Sequence, residues 1–218
     1  EHKGISEAEI SSREDLRDMI IFTIDGADTK DIDDAISLSK EDDCYKLGVH
    51  IADVSYYVKP KSALDNEAFD RGTSVYYADR VVPMLPKELS NGICSLNPDE
   101  DRLAFSCLMD ISFDGKLLGY DFKKTVIRSR IKGVYSEINK ILDNEETEEI
   151  AEKYKDVRDT ILLMQELASI LTANKIKRGA PQIETPESKL VISEDDICID
   201  VKTKERGKSE LIIEEFML

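Results

Sequence analysis

The sequence contains little histidine and has no long apolar run. His2 and His50 are its only histidines, so catalysis by a histidine-activated nucleophile has almost no residues to work with. We expect His50 to be a satisfied core residue. No apolar stretch reaches 18 residues and no signal-peptide pattern is present, which argues against membrane spanning and secretion. These absences predict a soluble cytoplasmic protein without a membrane partner.

Cysteine is also scarce, and the four cysteines have no C-x-x-C spacing. This excludes a zinc knuckle and gives no sign of a disulfide framework. We expect buried free thiols at Cys44, Cys94, Cys107 and Cys198. The chain has 218 residues, 41% of them hydrophobic, which is enough to bury the core of one domain.

Positive charge is in short supply, with 30 lysines and arginines against 46 acidic residues and a net charge of −16. This balance excludes a protein that binds nucleic acid through a broad basic surface. The cations fall into three runs, which could line a channel, although solvated strand edges and helix ends explain any single residue equally well. The runs are Lys123, Lys124, Arg128, Arg130 and Lys132; Lys175, Lys177 and Arg178; and Lys202, Lys204, Arg206 and Lys208.

Half of the ten residues 25–34 are aspartates, and they follow an apolar, strand-like run. Carboxylates about 5 Å apart repel by about 3 kcal/mol per pair at an effective dielectric constant of about 20, so such a cluster needs a cation or shared protons. Oxygen ligands favour magnesium, manganese or calcium over zinc. A calcium-binding EF-hand is disfavoured, because the segment lacks the glycine at loop position six and the glutamate at position twelve that an EF-hand requires. A solvated acidic turn is the remaining alternative for this segment, which we call the aspartate loop.

Hydrophobic patterning predicts an α+β fold with a mixed or antiparallel sheet and packed helices. Predicted strands cover residues 19–25, 35–39 and 45–52, and predicted hairpins cover 103–128, around Asp114 and Gly115, and 189–202. An apolar stripe predicts one helix over 150–171, and shorter helices are predicted over 134–142 and from 209 onward. Residues 6–17 have a helical pattern. We expect residues 1–18 to be a polar lead-in and 19–218 to be one domain.

Six segments, in order, resemble the catalytic domain of the ribonuclease II and ribonuclease R family, with closer similarity to the bacterial ribonuclease R branch. They are residues 23–35, 49–58, 71–76, 82–91, 94–98 and 213–218. The resemblance implies an RNB-like catalytic domain that is truncated at its C-terminal side. It also implies that oligonucleotide-binding domains, which carry much of the family's RNA affinity, are missing from this chain.

By this resemblance, four aspartates match the family's metal site: Asp25, Asp31, Asp33 and Asp34. The implied cofactor is Mg²⁺, for which Mn²⁺ can substitute. Asp25 and Asp34 are our choice for the direct ligands of the more tightly held ion. We assign Asp33 to the second ion or to the attacking water. Asp28 falls outside the four and fits an Asx-type turn.

The same resemblance assigns residues to the RNA strand. Tyr135 matches a tyrosine that stacks on the 3′-terminal base, and Tyr76 matches an aromatic clamp farther from the cut. Glu214, with Glu215 as the alternative, matches a carboxylate that accepts a hydrogen bond from the terminal 2′-hydroxyl. The candidate RNA-binding residues are Tyr76, Arg128, Lys132, Tyr135, Arg178 and Glu214.

Two departures from the family pattern concern RNA contacts. Ile183 stands where an aromatic is expected to pair with the strand clamp, and Lys132 begins an approach to Tyr135 that usually contains arginine. The resemblance nevertheless implies a processive 3′-to-5′ hydrolytic exoribonuclease that degrades single-stranded RNA to nucleoside 5′-monophosphates. The isolated chain is expected to be inactive. A noncatalytic RNA-binding or regulatory module and a calcium-binding structural domain remain open as alternatives.

Overall fold

The computed structural model describes residues 5–77, 80–181, 187–193, 197–204 and 206–218. The helices are α1 Glu7–Ser11, α2 Val54–Tyr57, α3 Ala63–Arg71, α4 Tyr135–Leu142, α5 Glu148–Tyr154, α6 Arg158–Lys177 and α7 Lys208–Met217, with a wide π-type turn at Glu88–Ile93. The strands are β1 Glu14–Asp15, β2 Thr23–Asp25, β3 Asp34–Lys40, β4 Cys44–Ala52, β5 Val75–Tyr76, β6 Val81–Val82, β7 Asp101–Ser112, β8 Leu117–Arg128, β9 Lys132–Val134, β10 Glu187–Ile192 and β11 Cys198–Lys204. The predicted α+β class is confirmed.

A five-stranded sheet in the order β1-β8-β7-β4-β3 forms the framework. β1 joins β8 in parallel, and the remaining neighbours are antiparallel. The predicted β7–β8 hairpin is confirmed, with Gly115 at a φ of +79°, a conformation that glycine adopts without strain. The predicted β10–β11 hairpin is confirmed as well. Three two-stranded pairs complete the described strands: β10–β11, β2–β9 and β5–β6.

The C-terminal helices cover part of this sheet and close the main core. Residues of the predicted stripe, among them Ile150, Tyr154, Ile161 and Met164, are buried against β3 and β4 residues. The prediction of one continuous helix was wrong, because α5 ends at Tyr154 and α6 begins at Arg158. Neither glycine nor proline stands at this break, so no local signal marks it.

The N-terminal residues follow the sheet rather than forming one helix. The predicted helix over 6–17 is limited to α1, after which β1 pairs with β8 and Leu16 enters a second core cluster. The strand predicted over 19–25 is shortened to β2. Residues 19–21 instead form a tight turn, in which the Ile21 amide donates to the Met19 carbonyl at 3.1 Å.

Two further expectations concern the cysteines and the membrane. Cys44 and Cys94 are buried free thiols as predicted, whereas Cys107 is half-buried and Cys198 is exposed, which corrects the prediction for those two. Cys198 lies on the two-stranded β10–β11 ribbon, where little packs over it. Across the described ranges, no helix has both the length and the apolar character needed to cross a membrane.

Candidate functional site

The aspartate loop connects β2 to β3, with Asp25 as the last residue of one strand and Asp34 as the first of the other. Phe22, just before β2, and Ile36 of β3 exchange backbone hydrogen bonds of 3.1 and 2.9 Å. This bridge holds the two ends of the loop side by side. The negative charge of Asp34 is therefore close enough to raise the pKa of Asp25.

On its other edge, β2 pairs in parallel with β9, which places Asp25 opposite Val134. The pairing depends on Gly133, because a Cβ there would lie 2.6 Å from the Thr23 carbonyl oxygen. Tyr135 begins α4 directly after β9. The strand pairing thus delivers the tyrosine to the carboxylate cluster from a distant part of the sequence.

The middle of the aspartate loop is held by Ser95, which is completely buried. Its hydroxyl donates to the Lys30 carbonyl oxygen at 2.8 Å and accepts from the Ile32 amide at 3.1 Å. The Leu96 amide donates to the Ile32 carbonyl oxygen, also at 2.8 Å. From the sequence, residues 94–98 were only one segment of the family resemblance. No local pattern could have predicted that a serine holds a loop 63 positions away.

Lys132 holds the first half of the aspartate loop. Its ammonium donates to the carbonyl oxygens of Ala27 and Thr29 at 2.9 and 2.5 Å. The same lysine lines a cavity of about 550 Å³ beside the loop, together with Lys30, Lys87 and Asn91. Lys132, a predicted RNA-binding residue, therefore both bonds the loop backbone and lines the cavity.

The carboxylates are crowded and poorly compensated. Burial, followed by the charge of Asp34, raises the pKa of Asp25 to about 7, and the nearby Lys132 only partly opposes the shift. Partial desolvation and the charges of Asp31 and Asp34 raise the pKa of Asp33, and burial raises that of Asp34. The Asp25 Oδ2 atom is buried without a hydrogen-bond partner. A buried, unpaired carboxylate oxygen is rare and marks a place for a cation or a proton.

The donor chemistry of the aspartate loop fits a hard divalent cation, because carboxylate and backbone oxygens are the ligands such ions prefer. The coordination geometry is not closed, however. Among the described residues, no three or more histidine, cysteine, aspartate or glutamate side chains converge into a ready metal cluster. Asp25 and Asp34 are half-buried, whereas Asp33 is exposed. Metal binding would require these carboxylates to draw together.

Tyr76, the predicted strand clamp, contacts the aspartate loop directly. Its hydroxyl donates to Asp31 Oδ2 at 2.6 Å, and this bond is the leading cause of the raised pKa of Tyr76. The ring is 64% exposed. The Tyr76 hydroxyl is thus hydrogen-bonded to Asp31, a predicted metal ligand, while the ring remains accessible for stacking on an RNA base.

Tyr135 is half-buried beside the same carboxylates. Burial, with the charges of Asp25 and Asp34, raises its pKa to about 12. The start of α7 also reaches this residue, because the Ser209 hydroxyl donates to the Tyr135 carbonyl oxygen at 3.2 Å. Glu210 follows on α7, accepts hydrogen bonds from Gly207, Asn139 and Ser209, and was missed in the sequence.

The two candidate glutamates on α7 differ in environment. Glu214 is partly exposed and pairs with Arg206 at 3.0 Å and with Lys175 at 3.6 Å. Glu215 is buried against the Lys175 ammonium. Glu214 is thus the carboxylate that a ligand could reach.

The remaining predicted RNA contacts lie elsewhere. Arg128 is exposed and pairs with Asp101 at 2.6 Å, and Arg178 is exposed at the end of α6. Ile183 lies outside the described residues. Other cations of the basic runs are engaged internally: Lys123 with Glu14, Arg130 with the carbonyls of Arg17 and Asp18, and Lys208 with Asp143. These pairings fit the structural explanation of the runs.

His50 is completely buried, as predicted for a satisfied core residue. Its ring nitrogens bond the hydroxyls of Ser37 at 3.0 Å and Ser106 at 2.7 Å. Burial lowers its pKa to about 4. Its ring nitrogens are thus occupied by structural hydrogen bonds rather than left open to a reactant.

Comparisons with known proteins agree on one family. The RNB domain model matches residues 13–218. The chain is 46% identical over 215 residues to ribonuclease R 1 of Lactococcus lactis and 47% identical over 216 residues to ribonuclease R of Thermotoga maritima. Each alignment covers 98% of this chain, which spans only 26% and 30% of those relatives.

A solved structure agrees with the sequence relatives. Mycoplasma genitalium RNase R, in complex with ribose-methylated single-stranded RNA, superposes with a TM-score of 0.88 at 30% sequence identity. The match covers 99% of this chain and 33% of that one. Since the family model matches nearly the whole sequence and the relatives share almost half of its residues, the chain belongs to the RNB domain family.

Proposed function

We propose that this chain supplies the metal-holding and 3′-end-holding part of a magnesium-dependent, processive 3′-to-5′ exoribonuclease acting on single-stranded RNA. The observation that carries the proposal is the state of Asp25, whose buried Oδ2 lacks a partner and whose pKa is raised to about 7 beside Asp34, Asp31 and Asp33. Purely structural carboxylates are normally hydrogen-bonded. A cluster left in this condition favours a cation and the chemistry that a cation brings.

The similarity to ribonuclease R supports the reaction class. The relatives carry that name, and the superposed structure is a complex with single-stranded RNA. This chain spans only about 26–33% of those proteins. We therefore assign the exoribonuclease activity to a longer protein that contains this chain, not to the 218 residues alone. The 218 residues alone are expected to bind RNA weakly at physiological salt, since their net charge of −16 repels a polyanion.

In this proposal, Asp25 and Asp34 are the direct ligands of one magnesium ion, and Asp31 and Asp33 complete the site. Manganese would serve as well, since it accepts the same oxygen donors. The bound ion would lower the pKa of a water molecule and neutralise charge on the phosphate. Asp33, the most exposed of the inner carboxylates, holds the attacking water in line with the scissile bond.

The reaction is a hydrolysis at the last phosphodiester. The water oxygen bonds to phosphorus, the bond from phosphorus to the 3′-oxygen breaks, and that oxygen takes a proton. The products are a nucleoside 5′-monophosphate and a strand one nucleotide shorter with a free 3′-hydroxyl. The shortened strand then advances by one position without being released, which is the processive part of the proposal.

The strand is held by contacts that do not depend on sequence. Tyr135 stacks on the terminal base beside the carboxylates, and Tyr76 offers its exposed ring farther along. Such stacking contributes about 1–3 kcal/mol per base for any base. Glu214 accepts a hydrogen bond from the terminal 2′-hydroxyl, which distinguishes RNA from DNA.

A noncatalytic RNA-binding module is the second candidate, favoured by the absence of a converged metal cluster among the described residues. One experiment separates the two. The chain replaces the matching segment of Thermotoga maritima ribonuclease R, and the chimera is incubated with 5′-labelled single-stranded RNA in magnesium or in chelator. We expect a ladder of one-nucleotide steps in magnesium and none in chelator. RNA binding without any magnesium-dependent shortening would favour the noncatalytic module.

A further inference from the structure

The aspartate loop is restrained from two sides by residues far away in the sequence. Lys132 binds the carbonyls of Ala27 and Thr29, and Ser95 binds the carbonyl of Lys30 and the amide of Ile32. Together they engage the backbone of four of the eight residues between the strands. We propose that Lys132 and Ser95 are positioning residues that form a clasp on the aspartate loop, and that Lys132 is not an RNA ligand.

The number of donors on Lys132 argues against a phosphate role. A lysine ammonium has three N–H donors, and two of them are already used at 2.9 and 2.5 Å. The side chain is half-buried rather than extended into solvent. Lys87, which lines the same cavity, is exposed instead. Lys87 and Lys30 are both exposed, so they are more accessible than Lys132 to a phosphate in that cavity.

Ser95 forms the second half of the clasp through a hydroxyl that both donates and accepts. Its position is fixed in turn by Arg102, whose Nε donates to the Ser95 carbonyl oxygen at 2.7 Å. The buried side chain of Ile32 anchors the loop from the inside. The clasp therefore connects the loop to β7, on which Arg102 lies.

A clasp is needed because the loop carries charges that drive it open. Five aspartates in ten residues repel one another, and the structure leaves Asp25 Oδ2 without a partner. Backbone restraints limit how far the loop can open while its carboxylates are uncompensated, in the way that outer-shell hydrogen bonds restrain metal ligands. The link to metal binding rests on the proposed function, whereas the clasp itself does not.

The test measures amide hydrogen exchange in this chain without metal or RNA. The variants are Ser95→Ala and Lys132→Met, with Lys132→Arg as the conservative variant and Ser39→Ala and Lys87→Met as exposed controls. We expect residues 27–33 to exchange at least about tenfold faster in Ser95→Ala and Lys132→Met, with β7 and β8 unchanged. Lys132→Arg, which still donates to carbonyls, restores most of the protection. Unchanged loop exchange in both clasp variants overturns the proposal.

The second arm measures affinity for single-stranded RNA in chelator against salt concentration, together with Mn²⁺ binding. Removing a lysine that binds an RNA phosphate lowers RNA affinity. It also reduces the slope of log affinity against log salt concentration by about one. We expect that result for Lys87→Met and not for Lys132→Met. The same loss in Lys132→Met would overturn the inference that Lys132 is not an RNA ligand. Ser95→Ala, which changes no charge, is expected to weaken Mn²⁺ binding about three- to tenfold.

The two arms separate the clasp from the proposed function. Faster loop exchange in the clasp variants, with no Mn²⁺ binding by any form of the protein, would leave the clasp standing and remove the metal-dependent function. Tight Mn²⁺ binding with unchanged loop exchange would do the reverse. If Lys132→Met fails to fold, the hydrogen exchange of Ser95→Ala is compared with that of Ser39→Ala. This comparison decides the outcome, because neither substitution alters a charge.

Discussion

Two polar clusters in this fold differ in how well their buried polar groups are hydrogen-bonded. Around His50, the hydroxyls of Ser37, Ser106 and Thr125 form an unbroken chain of hydrogen bonds of 2.7–3.0 Å. Around Asp25, like charges meet and one buried oxygen has no partner. The satisfied cluster contributes to a unique core, and the unsatisfied one is where a ligand can lower the free energy most.

The largest effect expected from this contrast is on catalysis. In the chimera described above, Asp33→Asn keeps the side chain's size and removes its charge. Cleavage should fall at least about a hundredfold, because the water loses its positioning group, while RNA affinity in chelator stays level or improves. The rate and the dissociation constant are measured on the same labelled RNA. Affinity that falls in parallel with rate would contradict the role assigned to Asp33.

The next effect is on stability, and it concerns the satisfied cluster. His50→Leu leaves the Ser37 hydroxyl without its His50 partner and removes one of the two partners of the Ser106 hydroxyl, which should lower the free energy of unfolding by about 2–3 kcal/mol. Urea denaturation of this chain measures the change. Mn²⁺ affinity of the folded variant should stay within about twofold of wild type, since the His50 ring bonds the hydroxyls of Ser37 and Ser106 rather than an aspartate. A tenfold loss of metal affinity would mean that the two clusters are coupled.

The pH dependence of stability should have opposite signs at the two sites. The folded pKa of His50, about 4, lies below its ordinary 6.5, so the unfolded chain binds more protons and this contribution is lost as pH falls from about 6.5 to 4. The folded pKa of Asp25, about 7, lies above its ordinary 3.8, so the folded chain binds more protons and stability falls as pH rises from about 4 to 7.

Asp25→Asn should remove the second of these slopes. Without metal at pH 7.5, we expect a gain of roughly 1–2 kcal/mol in the free energy of unfolding, after allowance for solvent screening of a half-buried group. The gain should vanish near pH 4, where Asp25 is protonated in the folded protein. Denaturation at several pH values checks both statements. A loss of stability at pH 7.5 would show that Asp25 has a structural partner.

The smallest effect sharpens the boundary of the unsatisfied cluster. Tyr76→Phe retains the ring but removes the hydroxyl that donates to Asp31. Freed from this bond, Asp31 should bind metal slightly better, so the Mn²⁺ dissociation constant should fall about two- to fivefold with RNA affinity unchanged. Tyr77→Phe is the matched control on the neighbouring exposed tyrosine. Equal shifts in both variants would exclude a specific role for the Tyr76 hydroxyl.

The sequence predicted the satisfied parts of this molecule better than the unsatisfied ones. The β7–β8 hairpin follows from alternation and an Asp-Gly turn, both of which are local signals. The aspartate loop was visible as a composition. Its restraints were not, because Ser95 and Lys132 are 63 and 103 positions from the loop residues they bind. Contacts at such distances depend on the whole topology, as does the Tyr76–Asp31 bond.

We propose that the aspartate loop is a metal site whose mutually repelling carboxylates a cation would stabilise, and thermal denaturation with magnesium tests this proposal most directly. At pH 7.5, increasing Mg²⁺ should raise the melting temperature of this chain by several degrees, because the ion binds only the folded state. Asp25→Asn and Asp34→Asn should reduce that shift, and calcium should give less of it. A melting temperature that stays constant across the whole titration would contradict the account.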